Sequence, residues 1–155
     1  MFEAGKDSRT IDRVTTLTAQ EDTVVFYDTK EGMMGIRVNR TLELPSDQPV
    51  ILTDAHGNKT KVKKTDNTGV TGNYLTSEGI TGKDAWGKRA RWVSLSGKIN
   101  GEDVSITIFD HPGNPGYPAC WHARGYGLFA VNPLGQKVFS KGKEELNLTL
   151  PPENR

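Results

Sequence analysis

The chain has 155 residues, with 20 basic and 19 acidic side chains interspersed along it for a net charge of +1. That balance argues against nucleic acid, whose binders usually carry a basic face, and no apolar run approaches the roughly 18 residues of a membrane helix. A single cysteine, Cys120, excludes an internal disulfide, and the length suffices for one domain to bury a core without one.

The opening MFEAGKDSRT lacks a hydrophobic signal core. The compartment is therefore unassigned: cytoplasmic by default, periplasmic or secreted if a segment upstream of Met1 is missing. From there helical periodicity is nearly absent, and short β-rich runs are punctuated by Gly, Pro, Asn and Asp. Strands are predicted over residues 12–17, 23–28, 34–44, 59–63, 89–99, 103–109, 122–131, 137–140 and 146–150. Turn signals separate most of them, including Glu31-Gly32, His56-Gly57-Asn58 and Asn132-Pro133-Leu134-Gly135. The basic run KTKVKK at 59–64 reads as a solvated or edge strand. Residues 65–87 are rich in Thr and Gly and are expected to form one long loop, functional or mobile. The expected architecture is all-β: a single antiparallel β-sandwich domain over residues 1–155.

Asn100-Gly101 between two alternating runs predicts a two-residue type I′ hairpin. Such a turn fixes the register, so that paired residue numbers sum to 201. Leu95 then faces Ile106, Val93 faces Ile108, and this stripe points into the core. Two residues further on, Arg91 lies opposite Asp110 on the inward face. The pair reads either as a structural ion pair, whose rupture typically costs about 3–5 kcal/mol, or as one wall of a polar pocket at the sheet end.

Asp110 opens the segment DHPGNPGYPACWHARGYGL, residues 110–128. Three prolines stiffen it. Asp110, His111 and Asn114 stand at its start; Trp121, His122, Arg124 and Tyr126 follow Cys120. Strand alternation would put His122, Arg124 and Tyr126 on one face, able to clasp a sugar or a carboxylate. The same features suit a rigid corner that plugs the sandwich. His111, His122 and Asp110 match no compact zinc spacing, and no metal or other cofactor is assigned. Cys120 beside Trp121 reads as a small buried hydrophobe, and His56 as a solvated turn residue. Glu78 and Asp84, near Trp86, are candidate sugar acids that read singly as solvated loop residues. No nucleophile elbow, phosphate loop or dinucleotide fingerprint is present.

"GIRV" at 35–38, "WGKRARWVSLSGKING" at 86–101 and "ITIFDHPGNPGYPACWHARGYGLFAVNPLG" at 106–135 resemble the family labelled methane oxygenase PmoA, also carried as a domain of unknown function. The resemblance spans roughly residues 12–150, with the DHPxNP…WHxRxYGL block its most specific part. Family members are longer and carry an upstream half with its own His- and Trp-containing motif, so the chain matches the C-terminal half. The resemblance further implies bacteria that degrade polysaccharides and a fold similar to the galactose-mutarotase-like supersandwich, here a partial one. A half-sandwich would expose sheet edges and favour a homodimer.

Three functions follow. The leading one is a carbohydrate-active or carbohydrate-binding domain. Trp121 would stack on a sugar, and Arg91, Asn114, Arg124 and Tyr126 would hold its oxygens. His111, His122 and Asp110 are the candidates for proton transfer, of epimerase, hydrolase or lyase type. The second is a non-catalytic assembly module. The third, from the family label, is a metal-dependent oxygenase, which is ranked last because the chain has no spanning segment and two loop histidines are a thin basis for a metal site.

Overall fold

A computed structural model describes residues 1–153 of the chain. Strand accounts for 37% and helix for 7%, with antiparallel sheets and no closed barrel, so the protein is an all-β sandwich. Its strands are β1 (Phe2–Ala4), β2 (Arg9–Ile11), β3 (Val24–Phe26), β4 (Met34–Arg37), β5 (Val50–Thr53), β6 (Lys59–Val62), β7 (Asn73–Thr76), β8 (Trp92–Ile99), β9 (Glu102–Phe109), β10 (Cys120–Ala123), β11 (Leu128–Asn132) and β12 (Leu148–Leu150). A one-turn helix, α1, spans Gln136–Phe139. No helix among the described residues is long and apolar enough to cross a membrane.

The chain forms two compact units. The smaller comprises Met1–Phe26 and the residues from Thr149 onward. In it β1 pairs with β2 and β3 with β12. Most of its side chains are exposed, Ala19 being the buried one. Residues 12–17, expected as a strand, run without regular structure.

The larger unit, Tyr27–Leu148, is built on two three-stranded antiparallel sheets, β7–β8–β9 and β10–β11–β4, with the β5–β6 hairpin beside them. Register follows the Asn-Gly turn as expected: Ile99 pairs with Glu102, Leu95 with Ile106, Val93 with Ile108 and Trp92 with Phe109. Asn100 and Gly101 both have positive φ, 52° and 85°, as a type I′ turn requires. Alternation then drives Val93, Leu95 and Ile108 inward, where they meet Tyr74 of one sheet and Trp121, Ala123 and Phe129 of the other. The Tyr74 and Phe129 rings meet edge-on at 5.3 Å across the sandwich. Val93, Leu95, Ile108 and Phe129 each contribute about 1.5–3 kcal/mol through burial.

Three expectations are corrected. Residues 65–87 are not one long loop: they contain β7, whose pattern buries Tyr74 and Thr76 and exposes Asn73 and Leu75, and a 3-10 turn at Gly82–Ala85. Residues 122–131 are not one strand: they break into β10 and β11 around a turn at 124–127, with Gly127 at φ +83°. Residues 137–140 fall on α1 and its cap, not on a strand.

Candidate functional site

The proline segment comes first in the chain, and its groups turn inward on the backbone. Asp110 is 8% exposed. Its backbone N–H donates to the Arg91 carbonyl at 2.9 Å, so the strand register does continue to this pair. The side chains do not follow. Asp110 accepts from Asn114 Nδ2 at 2.7 Å and from the backbone N–H of Ala119 at 2.8 Å. The Arg91 side chain is 62% exposed and lies 3.7 Å from Glu78. Two nearby N–H donors satisfy the buried carboxylate, so no guanidinium has to be desolvated for it.

Arg91 therefore does not join Asp110 in the expected pocket wall but faces solvent, and the Asn114 amide is spent on Asp110 in closing the loop. His111 is exposed, with Nδ1 accepting from the Gly113 backbone N–H at 3.0 Å. Arg89 completes the brace, donating to the carbonyls of Gly116 and Pro118 and pairing with Glu144. Its role was missed because an arginine bound to carbonyls leaves no mark in sequence.

Trp121 is also relocated. It is fully buried in the core, and its Nε1–H donates to the Ala90 carbonyl at 2.8 Å. An indole so enclosed cannot stack on a ligand. Cys120 is buried next to it, and desolvation pushes its thiol pKa up, as suits a small hydrophobe.

The other face of the β10–β11–β4 sheet carries the chemistry. There His122 is 2% exposed and flanked by Trp86 and Phe139, whose rings lie 6.3 and 6.2 Å from it. Arg124 donates its Nε–H to His122 Nε2 at 2.6 Å. The other ring nitrogen, Nδ1, lies 3.0 Å from the Lys30 carbonyl. An imidazole that accepts at Nε2 must carry its proton on Nδ1, so the two contacts fix one neutral tautomer. Burial, and then the Arg124 charge, lower the His122 pKa.

Arg124 lies over the Trp86 ring at 4.9 Å and over Tyr126 at 5.9 Å. Arg37, on β4, lies over Tyr126 at 5.5 Å and donates to its carbonyl at 3.3 Å. Tyr126 itself is 54% exposed. His122, Arg124 and Tyr126 are thus brought together as expected, though by the β10–β11 turn and not by alternation along one strand.

That turn is held from below. Tyr74 Oη donates to the Arg124 carbonyl at 3.1 Å, and Arg124 N–H to the Leu128 carbonyl at 2.8 Å. Burial keeps the Tyr74 phenol far above its ordinary pKa, so it stays a donor. From above, the segment carrying Phe139 is anchored by Asp28, which accepts from the backbone N–H groups of Gln136, Lys137 and Leu146 at 2.9–3.1 Å. Trp86, Phe139, Arg37 and Tyr74 were not singled out in the sequence as parts of this site. The signal that pointed to it was the WHARGYG run, whose two glycines mark a turn.

Glu31 adds a carboxylate at the rim, paired with Lys30. The Lys30 contact, followed by the weaker charge of Arg124, lowers its pKa. Among the described residues, Trp86 Nε1 is the buried side-chain polar atom with no partner, and no group of three or more His, Cys, Asp or Glu side chains is placed to hold a metal ion. No hydrogen bond or ion pair among the described residues joins Asp110, His111 or Asn114 to His122, Arg124 or Tyr126. The two polar ends of segment 110–128 form a brace and a separate cluster.

One family description matches the chain over residues 1–155. The chain belongs to DUF6807, a family of unknown function. A domain of unknown function is what the sequence resemblance led to; neither the methane oxygenase label nor the galactose-mutarotase-like fold comes with the DUF6807 match. No curated protein and no solved structure matches the chain. Within this DUF6807 member, a groove of about 480 Å³ lies elsewhere, on the β7–β8–β9 sheet, lined by Thr71, Asn73, Ser96 and the Lys98–Asp103 ion pair among others.

Proposed function

We propose that the protein is a carbohydrate-binding β-sandwich domain, with the site at Arg124, Tyr126, Arg37 and Trp86. One observation carries this reading. The Arg124 guanidinium is fixed through Nε and against Trp86, yet neither of its terminal nitrogens has an acceptor among the described residues. A planar donor fork held in place without a protein partner is a preformed receptor for ligand oxygens. The half-exposed Tyr126 ring beside it supplies an amphipathic edge for a sugar.

Binding is favoured over catalysis. A general base needs a free lone pair within reach of a substrate proton. His122 has both nitrogens engaged inside the protein, and His111 and Asp110 belong to the loop brace. The test is a glycan panel read against wild type and Arg124→Gln, with melting measured on both. Binding lost with little change in melting supports the site; a parent protein that binds no glycan overturns the proposal.

A second reading has an observation of its own. On the outer face of β7–β8–β9, Phe109 is 72% exposed, and Trp92 and Leu75 share that face. An apolar patch on a strand face favours pairing with another copy of the chain. Sedimentation of wild type and Phe109→Ser distinguishes the two: a dimer abolished by the substitution supports assembly.

A further inference from the structure

Resting on the saccharide reading, we infer that the site takes a saccharide bearing a carboxylate, of the uronic-acid type, in preference to a neutral one. The larger unit contains five arginines. Arg40 pairs with Glu43, Arg89 with Glu144 and Arg91 with Glu78. Arg37 and Arg124 have no carboxylate partner among the described residues, and these two meet on one ring, that of Tyr126. The acids nearby have cations of their own: Glu31 is taken by Lys30 and Glu43 by Arg40.

Both guanidinium groups lie over the Tyr126 ring, 5.5 and 5.9 Å from its centre, without a carboxylate partner among the described residues, so an anion bound at this ring would be attracted by both. Here the Arg124 position is enforced by His122 and Trp86, which leaves an anionic ligand as the group that would complete the cluster. The resident Glu31 carboxyl is held below its ordinary range first by its own Lys30 contact, with Arg124 adding a smaller attraction. A planar carboxylate matches the planar guanidinium through two parallel hydrogen bonds, and the sugar ring attached to it would lie along Tyr126.

The experiment is calorimetric titration of the full chain with trigalacturonate, with its carboxyl-reduced neutral counterpart, and with acetate and inorganic phosphate. The expected result is trigalacturonate binding at least about tenfold tighter than the neutral trimer, as charge-assisted hydrogen bonds imply, weakening with added salt. Arg37→Gln and Arg124→Gln should each remove most of that preference, while Arg91→Gln, on an exposed arginine outside the site, keeps it. Arg37 is exposed, so its variant stays informative should Arg124→Gln fail to fold. Equal affinity for the acidic and neutral trimers overturns this inference and leaves the saccharide reading standing. Acetate or phosphate binding as tightly as trigalacturonate overturns the saccharide part, since charge alone is then read. No binding of either trimer overturns both.

Discussion

The Nε–H of Arg124 donates to Nε2 of His122 over 2.6 Å, and a buried neutral imidazole thereby becomes the support for a guanidinium. His122→Ala removes that acceptor and the bond to the Lys30 carbonyl, and leaves a void beneath Trp86 and Phe139. The expected cost is about 2–4 kcal/mol in denaturant unfolding. Saccharide affinity should fall with it, because Arg124 loses its fixed position.

Stability should depend on His122 near neutral pH. Its folded pKa is lowered, so the unfolded chain binds the proton more readily. The contribution is fully present above the unfolded value of about 6.5 and is lost as pH falls through the folded value. Melting temperature should drop from pH 7 toward pH 5, and His122→Gln should flatten that drop. The exposed Asp54 and Asp66, whose pKa values are lowered by their own loop hydrogen bonds, act only further down, in the carboxylate range. An identical slope in the variant would sink the assignment.

Asp110 and Arg91 should behave as strangers. Asp110→Ala frees the Ala119 N–H and the Asn114 amide inside the loop, at an expected cost of about 2–4 kcal/mol. Arg91→Ala removes an exposed side chain and should change unfolding by less than about 1 kcal/mol. A buried ion pair would make both changes costly and strongly coupled, which a double-mutant cycle would reveal.

The tryptophans separate in the same way. Trp121→Phe loses the bond to the Ala90 carbonyl and opens space in the core, an expected loss of about 2–4 kcal/mol. Trp86→Phe removes a buried N–H that has no partner, which offsets much of the lost contact area. Thermal melts should show Trp86→Phe well above Trp121→Phe.

Tyr74→Phe tests the turn. Only the hydroxyl that donates to the Arg124 carbonyl is lost, so unfolding should shift by about 1 kcal/mol. The turn holding Arg124 and Tyr126 should loosen, seen as faster exchange of the Arg124 amide, which donates to the Leu128 carbonyl, than in the parent.

The hairpin could be read because a two-residue Asn-Gly turn permits one register, and every pair from Ile99–Glu102 to Trp92–Phe109 follows from it. Backbone register says less about side chains at strand ends, where the chain leaves the sheet and local donors compete; this is why Asp110 turned to Ala119 and away from Arg91. The strand at 73–76 was hidden by its shortness and its Thr/Gly flanks, although its alternation is complete. His122, Arg124 and Tyr126 were legible as a group from one short run. Trp86 and Phe139 reach them from 36 residues before and 17 after His122 in the chain, and no local pattern encodes that meeting.

Asp28 gives the site a mechanical character. The β10–β11–β4 sheet keeps its own ladder whatever happens above it, whereas the segment bearing Phe139 is tied down at three backbone N–H groups by one carboxylate. Freeing that carboxylate should loosen the layer over His122 with both sheets still paired. Opening over the imidazole is then expected as a local event, with a free energy of its own beneath that of global unfolding, governed jointly by Asp28 and by the Arg89–Glu144 pair that ties the same segment.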